Sequence, residues 1–436
     1  MLQTIKDIFS VKDLRKKILF TLFIIVLFRL GTYITIPGVD KALLRQAVGA
    51  DDSGLSSMVN LVSGGAFSRL SILALSIGPY ITASIVLNLL QVIVPSLERL
   101  TKEGEEGRRK LNKYTKYLTI VFGLLEGLAA YLNYKVYLLT DLQSGAGIIL
   151  GAILFIGSLI TGTALLSWLG DKITEYGIGN GISMIVFIGI VSGISGAVES
   201  LVGVAQGGIT GILIVVALII AMFILLAGIV FVQQAERRIP VNYAKRVVGR
   251  KMYGGQNTHI PIKLAMAGVM SIIFAMSFMM FPSIIINFAT KGNPQGIWSV
   301  IYKLFSVSQG SAWYYLVAYA VIYMALIILF TFVYTMFIVN PVEIANNLKK
   351  NGGFIPGIRA GKNTSEYISS VLKHITAVGA VFLALVAVLP ILLQGFTSLS
   401  ITFSGNSVLI AVSVALEILK NLETQMVNRN YSGFLG

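Results

Sequence analysis

The chain has 436 residues, of which 56% are hydrophobic and only 12% charged, with a net charge of +15 and a mean hydropathy of +0.82. A soluble domain carries about twice that charged fraction, so composition excludes a soluble globular enzyme and predicts an all-α polytopic membrane protein. The absence of cysteine excludes disulfides and thiolate metal sites.

In chain order, residues 1–17 carry charges of both signs and lack the short apolar core of a signal peptide, so they read as a retained amphipathic surface segment. Hydropathy then predicts ten spans, at residues 18–37, 70–94, 117–137, 148–169, 181–200, 211–233, 264–288, 313–339, 375–393 and 408–426. Such long apolar runs favour helices over the short alternating strands of a barrel. Most of the 34 Lys and Arg fall in the N-terminus and in the loops after the even-numbered spans. That asymmetry predicts both termini in the cytosol. Three of those loops, 96–116, 234–263 and 340–374, are longer than orientation requires and basic enough to dock a large anionic partner.

The second hydrophobic segment is broken. Residues 55–69, LSSMVNLVSGGAFSR, are short, small and polar-spotted, whereas residues 70–95 are apolar enough to span a bilayer alone. Kinked or non-helical backbone at membrane depth survives only inside protein or against a water-filled cavity. The break therefore predicts a cavity with an occupant.

Catalytic patterns are weak. Gly193-Ile194-Ser195-Gly196 fits the GxSG of an intramembrane serine protease, but no histidine lies mid-span to act as base. Gly357 to Asn363 fails as a phosphate loop, with Pro356 in place of the first glycine and Asn363 in place of Ser or Thr. Only Arg29 and Glu126 are charged within spans; Arg29 can snorkel or cap, and Glu126 reads as a helix contact. Several spans instead pair an aliphatic ladder with small or polar residues: Ile77, Ile81 and Ile85 beside Pro79, Thr82, Ser84 and Asn88; Ile182 and Val186; Ile272, Ile273 and Met276; and Ile410. Helix packing accounts for any one ladder. Together with the broken segment they allow a narrow apolar constriction in a wet pore, which blocks ions by dewetting. An inverted-repeat transporter of a small solute is the alternative with a similar hydropathy profile.

Specific motifs carry a resemblance over essentially the whole chain: FRLGTYITIPGVD, SGGAFSRLSI with GPYITASI, KEGEEGRRKLNKYTKY, WLGDKITEYGIGNGIS, RRIPVNYAKR, THIPIKLAMAGV and NPVEIANNLKKNGGFIPGIRAGKNTSEYI. The sequence resembles the SecY family, the channel subunits of bacterial protein translocases. The resemblance implies two inverted pseudo-symmetric halves, 18–200 and 211–426, joined by an outer hinge at 201–210, with a cytosolic tail at 427–436. It implies a pore ring of Ile77, Ile81, Ile182, Val186, Ile273 and Ile410. It implies a re-entrant plug of Ser57, Met58, Val59, Asn60, Leu61, Val62, Ser63, Gly64, Gly65, Ala66, Phe67, Ser68, Arg69 and Leu70, bending at Gly64-Gly65.

The resemblance further implies a lateral gate of Thr82, Ile85 and Asn88 on span 2 facing Met266, Met270 and Met276 near span 7. Motor or ribosome docking falls on Arg246, Arg250, Lys251 and Arg359. Expected partners are the small subunits SecE and SecG, the SecA ATPase, the ribosome, signal sequences with unfolded precursors, and membrane lipid in the bacterial inner membrane. The resemblance implies a translocation channel rather than an enzyme, with no cofactor or metal. The chain departs from the pattern at Ala265, where many members have an asparagine facing Asn88, at Ala360, where proline is usual, and at Glu126.

Overall fold

The computed structural model describes residues 11–47, 63–143, 145, 147–243, 246–248, 251–253, 257–290, 294–306, 312–397 and 405–432. Ten long helices carry the fold: span 1 (Lys12–Gly31), span 2 (Gly78–Ile93), span 3 (Glu105–Tyr134), span 4 (Gly147–Tyr176), span 5 (Gly181–Ser192), span 6 (Ile209–Gln234), span 7 (Gly268–Ala289), span 8 (Trp313–Ile338), span 9 (Lys362–Thr397) and span 10 (Gly405–Ser432). Other helices lie between them, including Ile194–Ala205 after span 5, of the same length as that span, and Ile297–Phe305 after span 7. The expected hinge at 201–210 is thus helical at both ends, with the turn confined to residues 206–208.

The structure moves several span boundaries; span 5, expected to run to 200, ends at Ser192, and spans 1 and 2 also change. Span 1 stops at Gly31 rather than 37, because residues 34–36 are extended and pair with residues 70–72. Ile36 N–H donates to Leu70 O and Ile72 N–H to Ile34 O, both at 2.9 Å, around an antiparallel bridge of Thr35 and Ser71. Span 2 starts at Gly78 rather than 70; residues 72–77 are a run of turns. Its 16 residues reach about 24 Å, short of the roughly 30 Å hydrocarbon core. The irregular stretch ahead of it covers the remaining depth. Pro79 in the first helical turn is the sequence signal for that start, since its fixed φ suits the position and its missing N–H has no helical partner there.

The basic end carries β-structure that hydropathy does not reveal. Strand β1 (Glu236–Tyr243) pairs antiparallel with β4 (Asn257–Lys263). Strand β5 (Gly353–Phe354), from the loop between spans 8 and 9, pairs with β1 through Asn242↔Phe354 and Tyr243↔Gly353. Beyond β1, β2 (Arg246–Val248) and β3 (Lys251–Tyr253) form a hairpin. Ile239, Val241 and Ile262 from the sheet bury against Leu348, Ile355, Ile368 and Leu372, so two basic loops form one platform. Within it the Arg238 guanidinium, 2.8 Å from Glu236, holds that carboxyl below the usual carboxylate range. Elsewhere at this end Lys116 pairs with Asp171 at 2.6 Å, tying span 3 to span 4.

The apolar core falls into three clusters inside the helical bundle. One joins spans 7, 8 and 9 with parts of 2, 6 and 10. A second joins spans 1, 4, 5 and 10 with Ala66, Leu73 and Ile77 of the irregular stretch. A third packs Leu70, Ala74 and Leu75 of that same stretch against Ile36, Tyr131, Phe155 and Leu159. Span 4 approaches this stretch so closely that a methyl group at Gly162 would collide with the Ile72 carbonyl. Gly162→Ala is therefore expected to cost about 1–3 kcal/mol, read as a lower melting temperature in detergent. Gly157→Ala, on an exposed face of the same helix with open space around it, is expected to leave the melting temperature at or slightly above that of the parent.

Candidate functional site

Six predicted side chains converge. Ile77 closes the irregular stretch and Ile81 follows one turn into span 2. Span 5 opens on Asn180, whose side-chain oxygen accepts from the N–H groups of Ile182 and Ser183 at 3.0 and 3.3 Å. This cap satisfies two orphan donors and fixes the helix start, and with it the direction of Ile182 and Val186. Ile273 on span 7 and Ile410 on span 10 complete the set. Ile77, Val186 and Ile410 are buried in a single apolar cluster, and Ile81, Ile182 and Ile273 pack against it half-buried. Burying each such side chain is worth about 1.5–3 kcal/mol.

Residues 63–70 lie on that cluster through Ala66, which is fully buried. Ser57, Met58, Val59, Asn60, Leu61 and Val62 lie outside the described residues. From Ser63 to Leu70 the chain turns continuously. Gly64 and Gly65 have φ of +65° and +83°, a region that favours glycine. A side chain at Gly64 would also strike the Ser192 hydroxyl and approach the Gly189 backbone of span 5. Arg29 Nη1 donates to Gly64 O at 3.2 Å. Because span 1 ends at Gly31, Arg29 sits in its last turn rather than two turns in, and it caps protein backbone. Phe67 N–H donates to Ser63 Oγ at 3.1 Å, and the Phe67 ring meets Tyr134 of span 3 edge-on at 5.5 Å. Leu70 and Ser76, both buried, take φ of +43° and +51°, which costs about 1–2 kcal/mol each for residues with a Cβ. The stretch between cluster and helix is thus strained at both ends.

The predicted side opening is mostly apolar. Thr82 and Ile85 are buried, and Ile85 shares a cluster with Ala265, against which Met270 and Met276 pack. Met266 sits elsewhere, packing under the basic sheet. Asn88 Oδ1 accepts from Gln91 Nε2 at 3.5 Å, a partner on its own helix. Sequence reasoning missed a further contact across this seam: Phe122 of span 3 meets Phe281 of span 7 edge-on at 5.8 Å. Glu126 lies one turn beyond Phe122, half-buried, with Oε2 3.7 Å from where a methyl on Gly78 would sit.

Of the predicted docking residues, Arg246 and Lys251 belong to the β2–β3 hairpin, Arg250 lies outside the described residues, and Arg359 is exposed with its carbonyl accepting from Thr364 Oγ1 at 3.0 Å. Gly193 caps the end of span 5, where GxSG was read, and Ser195 falls in the helix that follows. Among the described residues no three His, Cys, Asp or Glu gather as a metal site.

The fold is that of a helical membrane bundle in which residues from four spans and an irregular segment pack into one apolar cluster. The comparisons with known proteins give its family. Residues 71–419 match the family model SecY. The protein translocase subunit SecY of Halalkalibacterium halodurans is 40% identical over the full length of both chains. That of Rickettsia conorii is 39% identical, covering 98% of this chain and 96% of its own. The chain belongs to the SecY family. Its fold is also that of a solved SecY structure described as showing that the plug domain stabilises the closed state of the translocation channel (TM-score 0.66, 18% identity, 95% of this chain and 92% of that one). A canine channel from a ribosome–channel complex of the endoplasmic reticulum aligns with TM-score 0.60 at 18% identity, over 95% of this chain and 93% of that one.

One prediction follows from the apolar seam. Ala265→Asn places an amide among apolar neighbours that include Ile85, close to the Asn88 helix. The variant is expected to add a polar contact across the seam and so to demand a longer apolar signal sequence. Translocation of a series of precursors with graded signals into vesicles measures this, and an unchanged threshold would exclude a polar role for the position.

Proposed function

We propose that this chain is the pore-forming subunit of a protein translocation channel in the bacterial inner membrane, with both termini cytosolic. Unfolded secretory chains pass through it, and transmembrane segments leave sideways between spans 2 and 7. The observation that carries the reading is the meeting of Ile77, Ile81, Ile182, Val186, Ile273 and Ile410, from four spans, in one apolar cluster. A ring of branched aliphatic side chains excludes ions by dewetting and holds no fixed charge that would bind a passing chain. Its side chains change rotamer to admit an extended polypeptide and close behind it.

In this mechanism residues 57–70 form the plug that covers the ring on the outer side. A signal sequence is an apolar helix about one span long. It enters the seam lined by Thr82, Ile85 and Asn88 and by Met270 and Met276, and its partition into lipid helps hold the halves apart. Separation opens the ring and unseats Ala66. The chain supplies geometry and selectivity. Work comes from the ribosome or the SecA ATPase docked on the basic platform, at the β2–β3 hairpin and Arg359. The names of the relatives support the translocase role, and SecE and SecG complete the complex. The nearly bare surface of span 6, where only Gly211, Ile229 and Val232 are buried, leaves room for lipid and such small subunits.

The decisive experiment is a stalled precursor carrying a photocrosslinker opposite the ring. Adducts to Ile81 and Ile273 are expected, whereas saturable uptake of a small solute without such adducts would make the protein a secondary transporter instead. Independently, Ile81→Asp or Ile273→Asp is expected to raise ion conductance in planar bilayers. Conductance equal to that of the parent would remove these residues from the seal.

A further inference from the structure

The outer end of span 1 carries a feature that the channel reading leaves unused. Arg29 lies 6.0 Å and Arg69 4.4 Å, guanidinium carbon to ring centre, from the same aromatic ring, that of Tyr33. Arg69 folds back over Gly65, and Arg29 also donates to Gly64 O at 3.2 Å. Two cations crowd one site, and the electron-rich face of the ring offsets their repulsion. The contacts add a polar tie between the end of span 1 and residues 64–69, beside the packing of Phe28 on Ala66 and the pairing of residues 34–36 with 70–72. Immediately after Arg69 the backbone is strained at Leu70, with φ +43°.

We infer that Tyr33, with Arg29 and Arg69, forms a latch that sets how readily the plug leaves its seat. The inference rests on the proposal that residues 57–70 are the plug. These are positioning residues, since a passing chain is sealed off by the ring and not by them. The placement suits a trigger. Tyr33 is 59% exposed, so removing its ring leaves the core intact. The contact is not a buried hydrogen-bonded pair but a stacked cation, weak enough to break in each opening event. A shift of span 1 against residues 64–69 during opening would carry Tyr33 away from Arg69 and withdraw the Arg29 donor from Gly64 in the same motion. Release of the plug is thereby tied to the movement of span 1 rather than to contact with the incoming chain.

The test compares Tyr33→Leu, Arg69→Gln and the double variant with the parent. The assembled complex is placed in planar bilayers with no translocating chain. Each single variant is expected to raise the resting open probability about two- to fivefold, the range of one exposed cation–π contact. The double variant is expected to do no more than the larger single, because both changes remove the same contact. Tyr33→Phe keeps the ring and is expected to behave as the parent, which a general loss of stability at this position would not produce. Multiplying effects in the double variant would overturn the shared latch. If the singles conduct like the parent while excision of residues 57–70 raises conductance, the latch is wrong and the plug reading stands. If excision also changes nothing, the plug reading fails and the latch with it.

Discussion

The structure depends on one constraint: backbone that is not helical at membrane depth must find its hydrogen bonds within the protein. Residues 63–77 meet it by local turns and by pairing with residues 34–36, the extended exit of span 1. Ser71 contributes again, its buried hydroxyl donating to Gly31 O at 2.9 Å and accepting from Leu73 N–H at 3.2 Å. The close approaches follow from this. Gly31 sits where a methyl would lie 2.6 Å from Leu73 Cδ1, and Gly162 lies hard against the Ile72 carbonyl. Small residues on spans 1 and 4 exist so that an irregular strand can pass between helices.

The same stretch divides the apolar core. Ala66, Leu73 and Ile77 belong to the cluster that gathers the ladders of spans 5 and 10, whereas Leu70, Ala74 and Leu75 belong to the cluster under spans 3 and 4. The irregular stretch thus bridges the two clusters. Span 2 inherits both roles, with Ile77 and Ile81 at the converging ladders and Ile85 in the cluster around span 7. One helix thus packs in both clusters, so a change in its position would alter both.

Much of this was legible in the sequence, and the misses have physical reasons. The ladder residues stood out because aliphatic side chains at one-turn spacing beside small residues define a helix face whatever surrounds it. The broken segment is legible as a break, but hydropathy places its end eight residues too early, since it measures apolarity and residues 70–77 are largely apolar without being helical. Gly78-Pro79 marks the helix start and outweighs hydropathy there. Helix ends at the basic face were underestimated because charged turns extend beyond the hydrocarbon, as in span 3 from Glu105 and span 9 from Lys362. The sheet was missed because β1 holds Pro240 and its partner β4 holds Pro261, which mask the alternation of Ile239 and Val241. The pairing of β5 with β1 joins residues over a hundred positions apart, and no local pattern announces it.

That sheet has a mechanical meaning. β1 leaves span 6, β4 leads to span 7, and β5 lies between spans 8 and 9, so main-chain hydrogen bonds splice the ends of four helices into one stiff handle. A load applied at any tip of the platform is shared among those helices, and bending one alone would break ladder bonds. The compliance of the molecule lies elsewhere, in the turn beyond Ala205 and in the strained joints at Leu70 and Ser76. The stiffness of the basic face is therefore set by main-chain bonds between distant loops rather than by any one helix.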